Sequence, residues 1–267
     1  MKKPLAFLKR DLLIDVSYRF SFVFQVASVL LSTASYYFLS RFIGSSLIPG
    51  LDAYGGDYFA FVLIGVALYD YLATSLEAFS RTIRESQLAG TLEALLSTQT
   101  SLPTVILSSS AYPFLWTSFD VVLYIMLGVG LFGMRLSAGN WAAAALILIL
   151  AVIVFSGLGI LSASFIMVFK RGSPVAWVFQ GLSWLLGGVL YPVTVLPELL
   201  RQVSAVLPIT YAIEGMRAAL LRGAPWPELW SSLGPLLLLG VIVLPLSLLS
   251  FQYATRHTRI AGTLTQY

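Results

Sequence analysis

Three carboxylates stand inside or at the edge of long apolar runs: Asp70, flanked by Tyr69 and Tyr71, then Glu77, then Asp120. Burying such a group unpaired at membrane depth costs several kcal/mol, so each is a candidate for proton handling along a transport path. Each is equally able to accept hydrogen bonds from Tyr, Ser or Trp on a neighbouring helix and simply fix packing. Both readings stay open for Asp70 and Asp120. Glu77 has Arg81 at i+4, which suits a local ion pair.

Other chemistry is scarce. With no Cys and a single His, His257, the chain holds no disulfide framework, no thiolate nucleophile and no metal or haem site built from its own side chains. No G-x-x-x-x-G-K-[ST] occurs, and all four lysines (Lys2, Lys3, Lys9, Lys170) sit at the N-terminus or in one short loop. The chain therefore has no P-loop to cradle nucleotide phosphates, and any ATP is hydrolysed by another polypeptide. Neither H-E-x-x-H nor G-x-S-x-G appears, which removes the usual hydrolase signatures. We expect no catalytic residues, no cofactor site and no nucleic-acid partner.

The elements that must position the acids are membrane helices. The 267 residues are 58% hydrophobic and 10% charged, against about 25% charged in soluble domains. A span needs about 20 apolar residues, and six stretches qualify: Phe20 to Phe42, Tyr58 to Phe79, Val105 to Phe132, Trp141 to Phe169, Val175 to Leu196 and Leu233 to Tyr253. Period-two alternation is absent, so the expected class is an all-α membrane protein in one six-span domain, residues 1–267. The fifth stretch carries Gly187 and Gly188, with Trp184 before them and Tyr191-Pro192 after. Pro192 and Pro197 should break it into a partly re-entrant piece.

Basic residues set orientation. With the N-terminus inside, Lys2, Lys3, Lys9, Arg10, Arg19, Arg81, Arg84, Lys170, Arg171, Arg256 and Arg259 are cytosolic, against external Arg41, Arg135, Arg201, Arg217 and Arg222. Eleven against five puts both termini in the cytosol. In residues 1–19, Leu5, Leu8, Leu12 and Val16 recur at helical spacing among basic residues, as in a helix lying in the interface. Asp11 and Asp15 interrupt the apolar core that a signal peptide would need. Outside, residues 197–232 form a long structured segment, with a helical run Ala212 to Leu221 closed by Gly223.

A helix of mixed polarity falls between the second and third spans. Leu88, Leu92, Leu95 and Leu96 recur at i, i+4, i+7 and i+8, with Glu85, Thr91, Glu93 and Thr98 off that stripe. A helix this short is held by docking. It either covers the cytosolic ends of the spans or also fits a groove on a soluble motor.

The run Glu85-x-x-x-x-Gly90-Thr91-Leu92-Glu93-x-Leu95-Leu96-x-Thr98 resembles the coupling-helix segment of type-2 ABC exporter permeases. The later runs Gly188-x-Leu190-Tyr191-Pro192-Val193-x-x-Leu196-Pro197, Leu207-Pro208-Ile209-Thr210-Tyr211-x-Ile213-Glu214-Gly215-x-Arg217 and Leu220-Leu221-Arg222-Gly223 are similar to the fifth span and external hairpin of the same family. Gln99 departs from the proline such permeases often carry after the threonine.

This resemblance implies the transmembrane subunit of an ATP-driven exporter in a bacterial or archaeal inner membrane. Two permease copies, as a homodimer, form the path, and two cytosolic ABC ATPase subunits hold ATP and Mg. Arg84, Glu85, Gly90, Thr91, Leu92, Glu93, Leu95 and Leu96, within a coupling segment 84–98, would dock the ATPase. Asp70, Asp120, Trp184, Gly187, Gly188 and Tyr191 would lie along the path. Pro197, Pro208, Tyr211, Glu214 and Arg217 would build an external hairpin over the exit. The implied cargo is a hydrophobic drug, a lipid or a lipid-linked glycan, with polysaccharide export as the alternative. A proton-coupled carrier using Asp70 and Asp120, and a membrane scaffold that transports nothing, are the rival classes.

Overall fold

The computed structural model describes residues 12–13, 19–43, 50–88, 102–136, 139–169 and 174–260. Among the described residues eight α-helices with defined bounds follow in order: α1 (Arg19–Ile43), α2 (Tyr58–Leu88), α3 (Leu102–Gly130), α4 (Trp141–Phe169), α5 (Pro174–Leu186), α6 (Glu198–Ser204), α7 (Pro208–Leu221) and α8 (Trp226–Ile260). Short 3₁₀ turns at Leu51–Tyr54 and Val193–Val195 complete them, and no strand occurs among the described residues. Helices close every backbone hydrogen bond within the segment, which an apolar chain in lipid requires.

Five of the eight, α1, α2, α3, α4 and α8, are long and apolar enough to cross a membrane. The fifth apolar run, expected to be broken near its glycines and prolines, is helical over only its first part. Its helix stops at Leu186 after 13 residues, too few to cross a bilayer core at 1.5 Å per residue. The cause is local: Gly188 takes φ +80°, a left-handed conformation that a residue with a Cβ adopts only under strain, and Pro192 lacks the N–H to resume the ladder. Residues 226–232, expected in the hairpin segment, are instead the first turns of α8, entered through Pro227 in its first turn.

α2 is the axis of the bundle. In its most apolar stretch 78% of the residues are buried, against 11% in α1 and 17% in α3. It packs on α4, α3, α7, α1 and α5. Its approach to α4 is close because Gly159 has no side chain: a Cβ there would sit 2.0 Å from the carbonyl oxygen of Ser75. Lower on the same contact, the hydroxyls of Ser80 and Ser162 meet at 3.0 Å. Small residues with hydroxyl pairs are how helices associate where lipid removes the hydrophobic drive. Asp57 starts α2 by accepting from the N–H groups of Phe59 (3.0 Å) and Ala60 (3.3 Å), an N-cap that satisfies two orphan donors.

Two ends of the bundle are distinct. One carries the start of α1, the end of α2, the start of α3 and the end of α8. The other carries the ends of α1 and α3, the start of α2 and the α6–α7 hairpin. Of residues 1–18, Leu12 and Leu13 are described; both are helical and exposed, and the rest of the expected interfacial helix lies outside the described residues.

Candidate functional site

Asp70 on α2 and Asp120 on α3 lie within electrostatic reach of each other, and Tyr124, one turn from Asp120, lies beside Asp70. α1 supplies the rest: Gln25 Nε2 donates to Asp120 Oδ2 at 2.7 Å, Ser32 lies near Tyr124, and Tyr36 lies within electrostatic reach of Asp70. The other carboxylate oxygen, Asp120 Oδ1, is buried without a hydrogen-bond partner. Further along the α2–α3 seam, the Tyr71 hydroxyl donates to Ser118 Oγ at 2.8 Å, and the hydroxyls of Thr74 and Thr117 meet at 2.6 Å. Phe22, Trp116 and Phe119 form an aromatic edge beside it.

Gln25, Ser32, Thr74, Thr117 and Tyr124 were not singled out by sequence. The amide of Gln25 inside an apolar run was the one available signal, and hydroxyl residues in spans are too common to point anywhere.

The other path residues form a separate group. Tyr69 sets its ring against Trp184 of α5, centroids 4.9 Å apart. The Tyr191 hydroxyl folds back onto the carbonyl of Leu185, closing the bend around Gly187 and Gly188, both buried. Thus Asp70 and Asp120 share one site, while Trp184, Gly187, Gly188 and Tyr191 shape another on the α5 side of α2.

The hairpin is knitted by its own polar groups. Thr210 Oγ1 donates to the carbonyl of Ser204 (2.9 Å) and the Tyr211 hydroxyl to that of Ala205 (2.7 Å), joining α6 to α7. Pro208 opens α7 and is buried, whereas Pro197 before α6 is exposed. Arg222 reaches Glu228 at 2.7 Å across the turn into α8, where Gly223 takes φ +62°.

Arg217, counted by sequence among the external charges and in the hairpin, is buried there: it is 1% exposed. Its Nε and Nη2 donate to the carbonyl of Phe61 (3.0 and 2.8 Å), Nη1 to that of Gly188 (2.8 Å) and Nη2 to that of Val189 (2.9 Å). The guanidinium carbon lies 3.3 Å from the centroid of the Phe61 ring, a cation–π contact. Burial pulls the group down to about 9, so it is charged at neutral pH. Burial raises Glu214, one turn before it, and the Arg217 charge opposes that rise. Beside the hairpin a cleft of about 1090 Å³ opens, lined by Tyr37, Arg41, Asp57, Phe132 and Arg135 among others.

At the opposite end, Glu77 is tied twice, to Arg81 at 3.5 Å and to Gln180 of α5 at 3.1 Å. Arg84 is exposed two turns further along α2, and Glu85 follows within the same helix. Gly90, Thr91, Leu92, Glu93, Leu95 and Leu96 lie outside the described residues.

Among the described residues, a helical bundle with five helices long and apolar enough to cross a membrane, a broken short helix and an end hairpin defines the class as an integral membrane protein. Residues 72–221 match the ABC-2 type transporter family, and the chain belongs to that family. It is 30% identical over 210 residues to nodulation protein J of Neorhizobium galegae, covering 76% of each chain. It is 25% identical over 193 residues to the inner membrane transport permease YadH of Escherichia coli K12, covering 72% of this chain and 73% of that one. ABC-2 permeases are the transmembrane components of transporters and work with ABC ATPase subunits.

Proposed function

We propose that this chain is the permease subunit of an ATP-driven exporter, in which two copies line the path and cytosolic ABC ATPase subunits dock on residues 84–98. The observation that carries this reading is the form of α2. This 31-residue helix runs from the hairpin to an exposed Arg84 and leads directly into the Gly90-Thr91-Leu92-Glu93 segment. Force applied at one end of such a helix arrives at the other.

Orientation follows the charges. The count of eleven basic residues on the proposed cytosolic side, against four outside once the buried Arg217 is left out, supports cytosolic termini. The six-span arrangement then counts the broken α5 segment as its fifth pass. Residues 1–19 form an interfacial helix, and the hairpin caps the external exit. An inner membrane fits the relative named as an inner membrane transport permease. Cargo is a hydrophobic molecule, lipid or lipid-linked glycan; ATP and Mg belong to the partner ATPase.

Reconstitution of the chain with the ATPase that copurifies with it tests the reading. Leu92→Asp and Glu93→Arg should abolish transport-coupled ATP hydrolysis while the helical circular dichroism stays at the wild-type level. Normal coupling in both variants would sink it. Transport by the purified chain alone, lost in Asp70→Asn and Asp120→Asn, would favour a proton-coupled carrier.

A further inference from the structure

We propose that Arg217 is a positioning residue that fastens the α6–α7 hairpin and the α5 bend to the outer end of α2, so that the three move as one body. The proposal rests on the reading of residues 84–98 as the ATPase-facing segment. Three parts of the chain distant in sequence converge on one guanidinium: Phe61 in the first turn of α2, Gly188 and Val189 just past α5, and α7 itself. All four hydrogen bonds go to backbone carbonyls. No carboxylate approaches Arg217 within ion-pair distance among the described residues, so the fastening holds backbone to backbone.

Two features suit this to transmission. First, α2 contains no proline, whereas α3 has Pro113 and α8 has Pro235 and Pro245. At 1.5 Å per residue its 31 residues span roughly 46 Å, about the full thickness of a bilayer with its headgroups. Proline removes a ladder bond and lets a helix flex; its absence keeps α2 stiff. Second, Gly65 makes room for the node. A Cβ there would lie 2.4 Å from the Val189 carbonyl oxygen and 2.7 Å from Arg217 Nη2. The α5 bend is therefore seated directly against α2, and Arg217 closes over the seat. A lysine would keep the charge and lose the planar fork that reaches three carbonyls at once.

The absence of native cysteine allows the test in the intact permease–ATPase complex, with cysteine pairs spin-labelled in one copy. Leu199 on α6, Phe42 at the end of α1 and Asp52 in the turn leading into α2 are exposed label sites. On trapping with ATP, Mg and vanadate, the Leu199–Phe42 distance should shift by about 2 Å or more, the scale of helix displacements. The Leu199–Asp52 distance should stay constant.

Arg217→Lys and Gly65→Ala should retain basal ATP hydrolysis, lose the concerted shift and lower transport about fivefold or more. A Leu199–Asp52 distance that changes in the unsubstituted node would overturn the proposal, as would wild-type transport in both folded variants. Failure of the ATPase to bind the wild-type chain would instead overturn the docking reading beneath it. Binding without any hairpin shift would overturn the fastening alone.

Discussion

Arg217 and Asp120 are both charged groups carried into an apolar bundle, yet their surroundings differ in completeness. Arg217 is sealed, with four hydrogen bonds, an aromatic ring beneath it and three chain segments around it. Asp120 has one bond from Gln25, a second oxygen with no partner, and a position beside α1, the least buried of the spans. A fully satisfied buried charge holds parts together, because every alternative arrangement strands it. A half-satisfied one leaves capacity for another donor, which is what a site that changes state requires. The hairpin end of the molecule is therefore built to be fixed, and the α1–α2–α3 seam to be adjustable.

The largest expected effect attacks the sealed site. Arg217→Met removes every donor at the node and strands the carbonyls of Gly188 and Val189, each costing about 1–3 kcal/mol. Thermal unfolding in detergent should show a loss of roughly 3 kcal/mol or more, and a loss below 1 kcal/mol would erase the contrast with Asp120. Gln25→Leu comes next. It leaves Asp120 with neither oxygen bonded to α1, and the expected loss is about 1–2 kcal/mol, read in the same melt and accompanied by looser protection of α1 amides from hydrogen exchange. If Gln25→Leu proves as costly as Arg217→Met, the seam is as rigid as the hairpin. The smallest effect is at Glu77, whose ion pair with Arg81 is exposed. Glu77→Gln should change stability by no more than about 0.5 kcal/mol, a value that sets the floor for the comparison.

Much of the fold was legible because lipid restricts the choices. Four expected spans coincide with long helices in their core residues, and Trp141–Phe169 coincides at both ends. The Glu77–Arg81 pair and the stop of α7 before Gly223 were also readable, since i+4 spacing and left-handed glycine act locally. The break in the fifth run was signalled by Gly187, Gly188 and Pro192, but hydropathy reports solubility in lipid, not helical continuity, and only the structure showed the helix ending at Leu186. Within the acid site, Asp70 and Asp120 stood out as rare residues in apolar surroundings. Gln25 and Tyr124, which complete their shell, did not.

By itself the sequence determined the class of protein, the number of long apolar passes within one, the family and the unusual positions worth watching, because these depend on composition and short-range spacing. Tertiary structure alone decided which of the charged residues is buried. Arg217 reads from its neighbours as one more external cation of the hairpin. It becomes the centre of the hairpin end only when α2 and the α5 bend, 156 and 28–29 residues away, bring their carbonyls to it. Long-range convergence of backbone groups leaves no local pattern in a chain, and it is what turns a solvated charge into a structural one.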